Sequence, residues 1–160
     1  MAATSFFLDG LVDILNGDIN LSSDTLKLSI VNASYVFDKE TVYFDTGDDD
    51  TNDPSANLLN ATNYADKTVT GTVVADKITT GDGKVKLVID DASYGVLGGA
   101  ANDTMSGLIL WKDSGTPTTS PVIAYFPVTN AAATSGITVN FDFKSNAEGG
   151  NIRYALPSQA

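Results

Sequence analysis

Carboxylates are the residues in this chain best placed to do chemistry. Of its 20 acids, 18 are Asp, and they are densest in one loop, at Asp45, Asp48, Asp49, Asp50 and Asp53. Clustered Asp and Asn could supply the several oxygen ligands that calcium prefers. Laid over an EF-hand loop, Asp48, Asp50 and Asn52 take the first three ligand positions. Asp53 then falls where the turn needs glycine, and Leu59 where a bidentate carboxylate must close the site. That motif fails, and the run reads as a solvated acidic loop that keeps the chain soluble.

Asp90-Asp91 and Asp113 form a second set, near strand ends, where paired carboxylates can do glycosidase-type acid–base work. Neighbouring residues on a strand point to opposite faces, so Asp90 and Asp91 pair poorly unless the chain turns there. An aromatic-lined cleft is also hard to build with a single Trp. The plainer assignment is turn-flanking Asp, with Trp111 and Phe126 in the core. No catalytic, cofactor-binding or metal-ligating residue is assigned, and the chain is read as not an enzyme.

What the chain lacks narrows its chemistry further. It has no His and no Cys, which removes Ser–His–Asp triads, cysteine nucleophiles and the usual ligands of structural zinc, haem and iron–sulfur clusters. A net charge of −11 and a lone Arg153 argue against nucleic acid as a partner. The first residues have no basic n-region, Asp9 and Asp13 interrupt their apolar run, and no stretch reaches the length of a bilayer span. A soluble chain with no membrane partner is expected.

These residues must be positioned by a mainly β fold. Within 5–16, Phe7, Leu11 and Ile14/Leu15 recur at helical spacing, with Thr4 or Ser5 as cap and Asn16-Gly17 as stop. Residues 25–31 alternate as a strand with one buried face. Further strands are expected at 67–75, 84–90, 106–112, 121–129, 136–143 and 152–156. Gly81-Asp82-Gly83 and Ser114-Gly115-Thr116-Pro117 serve as connections, and Pro127 marks an edge or a bend. Residues 45–63 and 91–104 read as irregular. One domain over 1–160 follows: an antiparallel β-sandwich with one short N-terminal α-helix, jelly-roll-like first and immunoglobulin-like second.

An ordered set of segments resembles a group of small tailed-bacteriophage virion proteins. Gly17-Asp18-Ile19, Leu21, Asp24-Thr25, Lys27 and Val31 match that group's "G-D-I-D-L-x-x-D-T-I-K-V-A-L-V" segment. Asn63-Tyr64 before the 67–75 strand is similar to its "G-Y-x…V-T" portion, with Asn63 in place of the glycine. Residues 107–128 resemble its "A-V-L-Y-K-D-T-G-T-x-x-x-S-P-L-I-A-Y" hairpin, with Trp111 in place of Tyr, and the final ITVNFDF…GGNIRYAL its last two strands.

The resemblance implies a virion structural protein, sharpened to a capsid decoration or cement protein. Such a protein sits on the capsid exterior, bridges neighbouring subunits and is soluble in the host cytoplasm before assembly. Its partners would be the major capsid protein and further copies of itself, as a homo-oligomer (dimer or trimer), with no nucleic acid and no membrane. The alternative is a tail or baseplate component with a receptor- or glycan-binding role, which exposed loop aromatics, beginning with Tyr94, would favour.

Overall fold

The computed structural model describes residues 5–76, 84–98, 104–132, 137–142 and 153–154. Among them the elements run β1 (Ser5–Phe6), α1 (Leu8–Asn16), β2 (Leu26–Asn32), β3 (Lys67–Val69), β4 (Gly71–Asp76), β5 (Lys84–Ile89), β6 (Ala92–Leu97), β7 (Thr104–Lys112), β8 (Val122–Ala132), β9 (Ile137–Asp142) and β10 (Arg153–Tyr154). The protein is mainly β with one helix. Five strands form an antiparallel sheet in the order β1-β8-β7-β2-β3, three more pair as β10-β9-β6, and β4 and β5 make a two-stranded ribbon.

Both faces of the large sheet are buried. Leu26, Leu28 and Ile30 of β2, with Leu108 and Leu110 of β7, join Ile89, Ala92, Tyr94, Leu97 and Val139 in one core. On the other face, Val31, Ile109, Trp111 and Val122 pack with Tyr35 and Phe44 from the segment between β2 and β3. Burial on both sides explains the unbroken apolar run Leu108–Trp111, which a sheet wet on one face would not need. It also corrects the one-faced reading of 25–31, because Ser29 is fully buried. Trp111 and Phe126 are both core residues, but on opposite faces.

The N-terminus differs from the expected helix over 5–16. Ser5 and Phe6 pair with Tyr125 and Ala124 of β8, so the first residues extend the sheet. Phe7 is the N-cap and has no side-chain cap. Its ring is buried 5.1 Å from that of Phe37, and the Leu8 amide donates to the Lys39 carbonyl. Edge pairing and the burial of Phe7 delay the helix start past the Thr4/Ser5 cap. The stop falls as expected: Gly17 takes a left-handed φ of 86° and donates to Asp13 and Ile14.

The 67–75 run divides at Thr70. β3 stays on the large sheet, while Gly71 donates to the Leu21 carbonyl and leads into the ribbon. A Cβ at Gly71 would lie 3.0 Å from Leu26 Cδ1, so glycine permits the close turn. β4 pairs with β5 from Gly71↔Ile89 to Asp76↔Lys84, while Gly81-Asp82-Gly83 lies outside the described residues. Pro127 does not end its strand. It pairs with Gly107 beside a register shift at Ser106, past the short stretch of β8 that β1 covers. A bulge and a locally open edge let the ladder do without its N–H.

Part of the supposedly irregular 91–104 stretch is a strand, β6, with Ala92, Tyr94 and Leu97 turned inward. Its glycine does not break the strand. Gly95, at φ 63°, coincides with a register shift against β9 between Ser93 and Val96, a bulge built on left-handed glycine. No heavy atom stands near a Cβ there. Gly95→Ala is therefore expected to cost about 1–2 kcal/mol through backbone strain alone, measured by chemical denaturation.

Candidate functional site

The acidic segment 45–63 has no strand, as expected, but it is not merely solvated. Residues 33–59 form a strap over the second face of the large sheet, with Phe44 stacked on Trp111 at 4.1 Å and Leu58 bridged to Val31. The strap is tied by Asp53, which is fully buried. Its Oδ2 accepts from the Thr46 amide at 3.1 Å and the Thr46 hydroxyl at 2.9 Å. Its Oδ1 accepts from the Ser55 amide and hydroxyl at 2.8 and 2.9 Å, and from the Ala56 amide at 3.3 Å. Burial raises the carboxyl's pKa, but these hydrogen bonds outweigh burial and hold it below the ordinary value. The clue missed in the sequence was Asp53-Pro54-Ser55, a turn-initiating dipeptide followed by a second donor.

Four other acids of the strap, Asp38, Glu40, Asp48 and Asp50, line an open recess of about 320 Å³, with Tyr43 and Asn52 beside them. Among the described residues no group of three or more His, Cys, Asp or Glu converges to hold a metal ion.

Asp90 and Asp113 lie at one end of the large sheet without meeting. The Asp90 amide donates to Thr70 and the Asp113 amide to Thr25, and Thr70 and Thr25 flank the Leu26↔Val69 pair. The Asp90 carboxylate accepts from the Thr70 amide of the β3 end at 3.2 Å, whereas Asp113 is held by Lys27 of β2. Asp91 is the exposed neighbour of Asp90.

Asp113 is engaged structurally, 2.7 Å from Lys27 and accepting from the Gly115 amide. Lys112 makes the reciprocal contact, 2.9 Å from Asp24 and donating at 2.9 Å to the Asp18 carbonyl. The bonds to Lys27 and Lys112 hold Asp113 and Asp24 below the ordinary carboxylate pKa. Each pair lies at the surface and keeps part of its side chains in solvent, so Asp113→Asn is expected to change stability by less than about 1 kcal/mol in thermal melts.

Tyr94 corrects an expectation. It is a buried strand residue whose hydroxyl donates to the Leu28 carbonyl at 2.6 Å, and its ring stacks on Tyr64 at 5.9 Å. Tyr64 belongs to a polar chain through the sheet. Its hydroxyl and that of Ser29 both donate to Asp66, and the Trp111 indole donates to Ser29. The hydroxyls of Tyr64 and Ser29 and the Trp111 indole each have a partner, and the role of this network is architectural.

The surface feature that helical spacing did not single out is the outward side of α1. The helix's core contacts are Gly10 and Ile14, while Leu8, Leu11, Val12 and Leu15 face outward. Gly10 is the reason. A Cβ there would lie 2.9 Å from Ile123 Cα and closer still to the Val122 carbonyl oxygen, so the helix backbone rests directly on β8. A glycine in mid-helix was the available signal.

Comparison with protein-family models, with curated proteins and with solved structures finds no match.

Proposed function

We propose that this chain is a structural component of a tailed-phage particle, a decoration or cement protein on the capsid exterior. One observation carries the proposal: residues of the two most strongly resembling segments hold each other. Asp18, Asp24 and Lys27 of the first segment meet Lys112 and Asp113 of the second. Asn63, which replaces a glycine of the resembled group, sits at φ 66°, the left-handed region that glycine and asparagine share. The two-layer packing also supports the sandwich expectation, with the jelly-roll order kept as part of the proposal.

A cement protein works by burying surface across capsid joints and opposing the pressure of packaged DNA. It needs a stiff body and a presented surface. The β core with an outward apolar helix supplies both, and the charge of −11 disfavours adhesion to DNA. The major capsid protein is the partner, and bridging as a dimer or trimer would add avidity.

The chain is expected in stoichiometric amount on purified heads, and heads lacking it should open at lower temperature. Its absence from virions, or its confinement to tails, would overturn the proposal.

A tail or baseplate role in glycan binding keeps one supporting observation, although Tyr94 no longer contributes. Tyr43 is exposed beside the carboxylates of the strap recess, and an aromatic face with nearby acceptors suits sugar hydroxyls. Binding of the purified chain to host cell surfaces would favour this role.

A further inference from the structure

We propose that the outward face of α1 docks into an apolar groove on a different protein, one whose rim carries Lys or Arg. The inference rests on the particle-protein reading and names the chemistry of the partner. Leu8, Leu11, Val12 and Leu15 are 47%, 38%, 50% and 78% exposed. At 3.6 residues per turn they share an arc of about 100°, the width of a stripe that normally faces a core.

The side of the helix that rests on β8 is Gly10, and at this close seating any side chain in its place would meet the backbone at Val122 and Ile123, so the stripe faces away from its own sheet. The stripe is therefore presented on a fixed support.

Charge selects between partners. Asp9 and Asp13 run beside the stripe, Asp18 follows the helix end, and the last turn carries no basic residue. Asp13 is raised above the ordinary carboxylate pKa, first by burial and then by Asp18 and Asp9, with only partial relief from Lys112. Lys112 is already committed to Asp24 and the Asp18 carbonyl. At the N-terminal end of the helix, Lys39 is flanked in sequence by Asp38 and Glu40. A second copy laid on this face would bring a second acidic edge and another −11 charge. A cationic rim would relieve the repulsion while the groove took up the leucines.

Three measurements on the full chain decide the matter. In binding to purified shells assembled without the chain, Leu11→Asp and Leu15→Asp should each weaken association roughly 30-fold or more. Asp9→Lys with Asp13→Lys should weaken it several-fold, and added salt should do the same to wild type. These positions are solvent-facing, and unchanged circular dichroism would verify folding. Wild-type affinity in the leucine variants would overturn the helix proposal and leave the capsid reading standing.

In sedimentation of the purified chain, Leu15→Asp should leave any self-association intact. An oligomer that dissolves would make a second copy the occupant and overturn the proposal. If shells bind no wild-type chain, the capsid reading fails, and a photo-crosslinker at position 15 in infected cells decides the helix. An adduct on an apolar segment of another protein flanked by Lys or Arg, lost with Leu11→Asp, supports it. An adduct to the chain itself, to lipid, or to nothing overturns it.

Discussion

Replacement of Asp53 by alanine is expected to lower the unfolding free energy by about 3–5 kcal/mol, a fall in Tm of roughly 10 °C. The carboxylate is fully buried and accepts five hydrogen bonds, three of them from backbone amides. Alanine leaves the Thr46, Ser55 and Ala56 amides facing a void that cannot accept them. Asparagine is only a partial remedy. Both carboxylate oxygens receive donors, and an amide nitrogen at either position would point a donor at donors. Thermal melts of Asp53→Ala and Asp53→Asn should rank alanine below asparagine and asparagine below wild type. The strap should loosen first, read as a change in the near-ultraviolet signal of Trp111, on which Phe44 stacks.

The same carboxylate predicts an acid limit. Its folded pKa lies below the ordinary 3.8, so the folded state prefers it ionised. The stability this adds is fully present above the unfolded value and is lost as pH falls through the folded value. Asp24 and Asp113 are shifted the same way and contribute smaller, solvent-screened shares. Wild type should lose Tm steeply below about pH 4, and Asp53→Asn should show a shallower fall over the same window. Parallel curves for the two proteins would contradict the assignment of Asp53 as the main acid-sensitive tie.

Gly10→Ala is the second large effect, expected at about 2–4 kcal/mol although only one methyl is added. The added carbon meets backbone at Val122 and Ile123, which cannot move aside as the end of a flexible side chain could. The helix must lift from β8, withdrawing Ile14 from the core. Hydrogen exchange should show helix amides losing protection while β2 and β7 keep theirs. Leu15→Ala, which removes most of a side chain but one that faces solvent, should change stability by less than about 0.5 kcal/mol. That contrast, a glycine mattering more than a leucine on one helix, separates the supporting side of α1 from the presented side.

Much of the fold was legible in the residues because it depends on local rules. The strand within 25–31, the Gly17 stop, the turn at Ser114–Pro117 and the antiparallel 121–129 partner all follow from spacing, capping and turn chemistry, and all occur. The errors share a cause. At Ser5–Phe6 an open edge of β8 captured residues that helical periodicity claimed. At Gly95 a bulge turned a breaker into part of a strand. In 45–63 composition described the exposed carboxylates correctly but could not single out the one that is buried. Five acids of one type look alike in sequence, and only the donors around Asp53 distinguish it.

By itself, the sequence determined a mainly β chain with a single helix, a strong negative charge and no His or Cys to supply the commonest nucleophilic and metal-binding chemistry. Those are properties of residue type and short-range spacing, and they survive any arrangement in space. The tertiary structure alone decided which side of α1 faces the core. The apolar arc of a helix announces that it wants burial, but not by whom. Here a glycine that fits against the β8 backbone took the inward position, and the leucine stripe was left facing solvent.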